Sequence, residues 1–340
     1  VKAAVYYRPS DLVVKEVDSP KISSMEILIR VHSVGVCPTD LRIFRKGSRI
    51  VKPPVILGHE FSGEIVESKV PSLSVGERVN VAPDGPCLGC NECSRGLENL
   101  CRSLLSIGTN VDGAYAEFVR VPSRFVSDEL IFKLPHSMSY EEGALVEPVA
   151  ASIHALGLTY PQERDNAVIV GDGPNALIHL QLLKNFYSVK SVTMIGLLEH
   201  RLEKARRLGA DEVVLVEELS SHSENLKQSG VDIIDLTIGN PEALKEAASL
   251  MTPGSTLVIF GGAGDDLNLP VTLNQVHYNQ FSITGSSGTT IAEYRRAFEL
   301  VSKASVNLGQ LITHSFSLDD IMMAFETVEK GMGLKVTVNP

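Results

Sequence analysis

The chain has 340 residues, 44% hydrophobic and 21% charged, which is enough apolar content for about two domains with buried cores. Lys and Arg total 31 against 41 Asp and Glu, and the formal net charge of −10 argues against recognition of nucleic acid through its phosphates. No apolar run reaches about 18 residues, so no membrane span is expected. The opening Val1-Lys2-Ala3-Ala4-Val5 reads as a strand, not as a charged-then-apolar leader.

Up to about residue 150 the chain reads as short strands broken by Pro and Gly, in the manner of an irregular β domain. The strands expected are Lys2–Tyr7, Glu26–Ser33, Gly63–Val66, Arg78–Val81 and Ala116–Val121. Beyond it, apolar β-branched runs alternate with helix-period stretches. Strands are expected at Ala167–Val170, Ser191–Ile195, Val213–Val216, Ile233–Thr237, Thr256–Phe260 and Ser282–Thr284, with helices at Asn175–Phe186, Glu199–Leu208 and Pro241–Leu250. Six near-continuous apolar strands alternating with helices predict a parallel sheet covered on both faces, the size a dinucleotide-binding sheet uses. The tail reads as helices over Ile291–Ala304 and Leu318–Lys330 and a strand over Leu334–Val338. It follows the sixth strand and is free to return to the first domain. The fold class expected is therefore α/β, divided into 1–149 with 287–340 and a second domain of 150–286.

The five cysteines split as one plus four. Cys87, Cys90, Cys93 and Cys101 form C-x2-C-x2-C-x7-C, a poor disulfide framework and a good metal one. Closely spaced thiolates suit a closed tetrahedral zinc that contributes folding energy and no chemistry. An iron–sulfur cluster also uses four Cys, and a zinc ribbon for nucleic acid conflicts with the acidic balance. The lobe is expected to occupy about 84–103. Cys37 stands apart in Gly35-Val36-Cys37-Pro38-Thr39-Asp40, and Gly58-His59-Glu60-Phe61-Ser62-Gly63 follows some twenty residues later. Taken singly, such residues are ordinary core or surface positions. Together with Glu147 they offer three or four ligands, the number a catalytic zinc with an open position requires.

Ala167–Val170 runs into Gly171-Asp172-Gly173-Pro174-Asn175-Ala176 and then a helix, which is G-x-G-x-x-A in strand–turn–helix context. The first Gly permits the turn, the second lets backbone approach a pyrophosphate, and the third position must be small. The helix N-terminus supplies free N–H groups to the phosphates. An acid at the end of the second strand normally grips the adenosine ribose. Here that strand ends at Ile195-Gly196, with Leu197, Leu198, Glu199, His200 and Arg201 after it. Gly196 is expected to leave room and remove a negative charge where a 2′-phosphate would sit, which tilts the cofactor from NAD toward NADP. His200 and Arg201 are then the available cations, although a solvated helix position is the plainer expectation for Arg201.

With these motifs in hand, the chain resembles, end to end, the zinc-dependent medium-chain dehydrogenase/reductase family, and within it the branch of sorbitol (polyol) and threonine dehydrogenases. The match also rests on Glu147-Pro148-Val149-Ala150-Ala151-Ser152-Ile153-His154 and on the phrase from Arg201 to Asp211. The resemblance implies a GroES-like catalytic domain and a Rossmann nucleotide domain. It implies a catalytic zinc on Cys37 and His59, Glu60 as third ligand, and Glu147 either ligating or holding the metal's water. Asp40 would accept the other His59 N–H and fix the tautomer, and Thr39 would hydrogen-bond the substrate hydroxyl and begin a proton relay.

Some positions depart from the family pattern. Arg42 replaces a His that passes protons to solvent, and Arg does not give up its proton. Pro38 replaces a common Gly, Lys69 a small residue, and Gly196 the Asp of NAD-using relatives. Among pocket candidates, Arg42 and Phe44 lie close after Cys37, whereas Tyr115 and Phe118 are expected to be core aromatics. The reaction implied is reversible hydride transfer between a secondary alcohol, polyol or sugar-like, and NAD(P). A threonine-type or aldose-type dehydrogenase is the enzyme rival, and a non-catalytic, cofactor-binding redox sensor is the rival of another class. Two zinc ions per chain, a reducing cytoplasm and a homodimer or homotetramer joined through an edge strand of the nucleotide domain complete the expectation.

Overall fold

The computed structural model describes residues 1–262 and 267–340. By contact, the chain divides into one compact unit of Val1–Ala150 with Thr289–Pro340 and a second of Ala151–Gly288. Among the described residues no helix is long and apolar enough to cross a membrane.

The first unit is built on a seven-stranded, mostly antiparallel sheet. Its strands run Ile131–Lys133, Arg78–Val81, Glu60–Ser68, Ile27–Gly35, Lys335–Asn339 and Ile312–Ser317, with Phe118–Val121 also paired to Ile27–Gly35. Ile27, Ile29, Val31 and Val34 on the central strand are essentially buried. Each such side chain contributes about 1.5–3 kcal/mol relative to leaving it in water. The tail belongs to this unit. Its strand Lys335–Asn339 lies antiparallel to Ile27–Gly35 through the pairs Thr337 with Gly35 and Val338 with Val34. The helix Ile291–Ser302 before it starts at a capping box, Glu293 N–H donating to Thr290 Oγ1 and Thr290 N–H to Glu293 Oε2. It buries Tyr294, Ala297, Leu300 and Val301, one face of a helix. A smaller sheet holds Asp11–Glu16, Lys2–Arg8 and Val55–Ile56.

The second unit carries a six-stranded, all-parallel sheet in the order Glu212–Leu215, Ser191–Gly196, Asn166–Val170, Ile233–Leu236, Thr256–Ile259, Ser282–Gly285. That is the doubly wound order of dinucleotide-binding sheets, reversing at Asn166–Val170. All six strands expected from the sequence are present, within a residue or two at their ends. The helix Pro174–Asn185 is buried on every side from Ala176 to Leu183, its two polar residues there partnered, His179 with Asp235 and Gln181 with the Leu177 carbonyl. Elements absent from the sequence reading include the helices Pro38–Lys46, Tyr140–Ala144, Val146–Gly157, Leu219–Ser229 and Leu273–Asn279 and the strands Asp11–Glu16, Ile131–Lys133 and Ile312–Ser317.

Candidate catalytic and metal centres

The four-cysteine lobe rests on a short pair of strands, Asp84–Gly85 against Leu105–Ser106. The four sulfurs lie within 4.8 Å of one another, and all four thiols are free. Cys90 Sγ stands 3.5 Å from Cys93 Sγ and 3.9 Å from Cys101 Sγ. Thiolates at about 2.3 Å around a tetrahedral zinc are spaced by about 3.8 Å, so the cage has the dimensions of a single ion. The backbone amide of Cys87 also donates to Cys101 Sγ at 3.2 Å, the kind of support a thiolate needs. The Gly89 amide holds the Cys87 thiol down at about 6, while burial pushes Cys93 up to about 12.

The second cluster is assembled from distant segments. Cys37 follows the central strand and forms the N-cap of the helix Pro38–Lys46. His59 and Glu60 stand at the head of the strand Glu60–Ser68. One ligand atom from each of Cys37, His59 and Glu60 lies within 4.8 Å of the others. Behind them Asp40, fully buried, places Oδ1 3.3 Å from His59 Nδ1 and accepts the Tyr115 hydroxyl on Oδ2 at 2.9 Å. A proton held on Nδ1 by Asp40 leaves Nε2 as the free lone pair. Burial alone would lower the His59 pKa, but the Asp40 and Cys37 charges outweigh it and raise it well above the ordinary value. Burial raises the Cys37 thiol, with His59 opposing. These neighbours fit a divalent cation, which would replace the proton as the charge that binds thiolate and imidazole together.

Glu60 is 1% exposed and bound on both oxygens by Lys335 Nζ, at 2.9 and 3.0 Å. Lys335 is itself 2% exposed. Glu147 is half-buried in the first turn of the helix Val146–Gly157. Its recessed position pushes its carboxyl up to about 7; His59 and Lys335 oppose the shift and Glu60 adds to it. Glu147 is not among the atoms gathered within 4.8 Å. The structure thus brings Cys37, His59, Glu60 and Asp40 together and leaves Glu147 beside them. Lys335 was missed by sequence reasoning, though a lysine opening a largely buried strand was a visible signal.

Thr39 is partly exposed in the first turn of its helix, and Arg42 is exposed. Phe44 is corrected from cleft residue to core. It is 4% exposed and packs edge-on against Phe325, with ring centroids 5.7 Å apart. Tyr115 is wholly buried, and Phe118 sits on a strand with the Arg30 guanidinium 5.7 Å from its ring.

In the second unit, Gly171 takes φ +128°, a backbone conformation that an L side chain rarely adopts. Gly173 caps the helix Pro174–Asn185, with open space where a Cβ would stand, and Pro174 fills N1. Ala176 is fully buried and Asn175 is partly so. A turn with open space above a helix N-terminus fits a pyrophosphate. Two expectations at the second strand need correction. Gly196 does not leave room, because a Cβ there would lie 2.6 Å from Asp172 Cβ and 2.9 Å from Asp172 Oδ2. Nor is negative charge removed, since the Asp172 carboxylate occupies that place. Arg201 is not a solvated helix residue either: it is 9% exposed, with Nη1 3.5 Å from Asp172 Oδ1. His200 is exposed.

Comparison with known proteins agrees with this geometry. The Alcohol dehydrogenase GroES-like domain model matches residues 23–133, and the Zinc-binding dehydrogenase model matches residues 176–303. Sorbitol dehydrogenase of Bacillus subtilis (strain 168) is 33% identical over 351 aligned positions, covering 100% of this chain and 97% of that one. A zinc-binding dehydrogenase from Sinorhizobium meliloti 1021, solved bound to NADP, superposes with a TM-score of 0.90 at 26% identity over 100% of this chain and 99% of its own. An alcohol dehydrogenase from Escherichia coli CFT073 complexed with NADH superposes with a TM-score of 0.88 at 28% identity, over 100% and 99%. With the two-unit fold, the four-cysteine lobe, the Cys37–His59–Glu60 cluster and the glycine turn in place, this chain belongs to the zinc-dependent medium-chain dehydrogenase/reductase family, in its sorbitol/threonine dehydrogenase-like branch.

Proposed function

We propose that this oxidoreductase interconverts a secondary alcohol, polyol or sugar-like, and its ketone with NAD(P), using two zinc ions per chain. The observation that carries the reading is the convergence of Cys37, His59 and Glu60 within 4.8 Å, with Asp40 set behind the imidazole. Cys37 and His59 hold the catalytic ion with one carboxylate. Glu60 is that carboxylate when Lys335 releases an oxygen, and Glu147 is its alternative or the holder of the metal's water. Cys87, Cys90, Cys93 and Cys101 hold the structural ion. When bound, the catalytic zinc supplies Lewis acidity that lowers the pKa of a substrate hydroxyl. Thr39 accepts the hydroxyl proton. Exposed, permanently charged Arg42 is no acceptor, so the proton leaves through cofactor ribose and water or through Glu147. Asp40 keeps the His59 ring fixed through the cycle, and Tyr115 fixes Asp40.

The turn from Gly171 to Ala176, with Pro174 and Asn175, binds the dinucleotide backbone. NADP, expected from Gly196, is not the nucleotide its surroundings favour, because the vacated place holds a carboxylate. Four closely spaced free thiols support residence in a reducing cytoplasm. A homodimer or homotetramer joined at the edge strand Ser282–Gly285 is supported by Leu273 and Tyr278, 87% and 78% exposed on the helix that precedes it. Metal analysis of the purified chain together with turnover of a polyol, sugar, threonine and simple secondary-alcohol panel tests the proposal. About two zincs and turnover of a secondary alcohol are expected. Nucleotide binding with no turnover across the panel would point instead to a sensor.

A further inference from the structure

We propose that Asp172 sets the choice of nucleotide, selecting NAD(H) by occupying with its own carboxylate the seat an adenosine 2′-phosphate would need. The inference rests on the reading of the glycine turn as a dinucleotide site.

Asp172 lies between the two glycines of the turn and is 8% exposed. Its Oδ2 accepts the backbone N–H groups of Leu197 and Leu198, each at 2.8 Å. These amides stand at the end of the second strand and enter the helix Glu199–Arg207. Amides opening a helix are what an anion seeks there, since they lack intrahelical partners and lie at the positive end of the dipole. An internal carboxylate already takes both. It also engages the nearest buried cation, Arg201, whose Nη1 lies 3.5 Å from Asp172 Oδ1.

Gly196 is the counterpart of this arrangement. A side chain at that position would press within 2.6 Å of Asp172 Cβ, so an acid at 196 and the observed Asp172 cannot both be accommodated. The carboxylate that relatives place at the end of the second strand enters here from the turn after the first. A nucleotide with a 2′-phosphate would therefore meet a negative charge with its donors and its cation committed. The exposed residues at this strand end, Leu197, Leu198, Glu199 and His200, supply no permanent positive charge in exchange. A free 2′-hydroxyl meets none of this cost.

The test is equilibrium titration of the full chain with NADH and with NADPH, followed by nucleotide fluorescence, alongside the thermal midpoint of each protein without ligand. The wild-type chain is expected to bind NADH at least about tenfold more tightly than NADPH, a difference of about 1.4 kcal/mol. Asp172→Asn keeps a carbonyl acceptor for the amides and removes the charge that faces Arg201. It should shift the affinity ratio toward NADPH by about tenfold or more. Arg201→Gln leaves Asp172 without its cation and should move the ratio the opposite way, which keeps the test decisive if the Asn variant does not fold. Wild-type protein that binds NADPH as tightly as NADH, or a folded variant pair with an unchanged ratio, overturns the role of Asp172 alone. Binding of neither nucleotide overturns the dinucleotide reading and the inference with it.

Discussion

The four sulfurs of Cys87 to Cys101 come from fifteen consecutive residues clamped at the base by one short strand pair. Cys37, His59, Glu60, Glu147 and Lys335 come from two strand starts and two helix starts spread over nearly the whole first unit. The lobe is local, and on the proposed reading its four thiolates would draw much of their order from a bound ion. The other cluster is held by a packed sheet whether or not an ion is present, and its charges are balanced by protein groups. On the proposed reading, one site would be folded by its metal and the other would be folded for its metal.

Cys93→Ser is expected to have the largest effect. It should lose one zinc and expose the segment around the lobe to proteolysis, because apparent binding free energies of structural zinc reach about 10–16 kcal/mol in small peptides. A lobe that stays protected and metal-free would erase the distinction. Cys37→Ser should also lose one zinc but keep its unfolding midpoint. Turnover should fall by about 10³-fold or more, since Lewis-acid stabilisation amounts to several kcal/mol; full activity with that ion absent would end the metal mechanism. Lys335→Met should lower stability by about 3–5 kcal/mol by stranding a buried carboxylate. Adding Glu60→Gln should recover much of it, and denaturant unfolding measures both. Tyr115→Phe is the mildest change. Removing a donor to Asp40 should weaken zinc retention at the catalytic cluster by about 10–100-fold in a chelator competition, with KM little moved.

The same contrast explains what the sequence made readable. Sulfur spacing along a short stretch carries its geometry in the chain, so the lobe is plain from the order of residues. Alternating apolar strands and helices likewise announce the six-stranded sheet. The helix Leu219–Ser229 hides because Ser220, Ser221, Ser223 and His222 interrupt its apolar period, and tertiary packing of Leu219 and Leu226 decides it. Cys37, His59 and Glu60 are only a weak candidate set from spacing alone and become firm through family resemblance, since nothing local links Cys37 to the other two. Asp172 occupies a variable place in the glycine motif. Its role arises from amides 25 and 26 residues away, which no local pattern records. Arg201 looks like a surface residue on its helix until the partner that buries it is seen.

Lys335 has a consequence for how the protein comes into being. The entire second unit, Ala151–Gly288, is synthesised between Glu60 and the lysine that neutralises it. Until the strand Lys335–Asn339 leaves the ribosome and joins Ile27–Gly35, the nascent first unit has an open sheet position and an unbalanced acid beside Cys37 and His59. Contacts of such long sequence separation form slowly and late. The nucleotide unit, whose pairings are nearly sequential, has every opportunity to fold first. The Cys37, His59 and Glu60 cluster therefore gains its balancing lysine only when that last strand arrives.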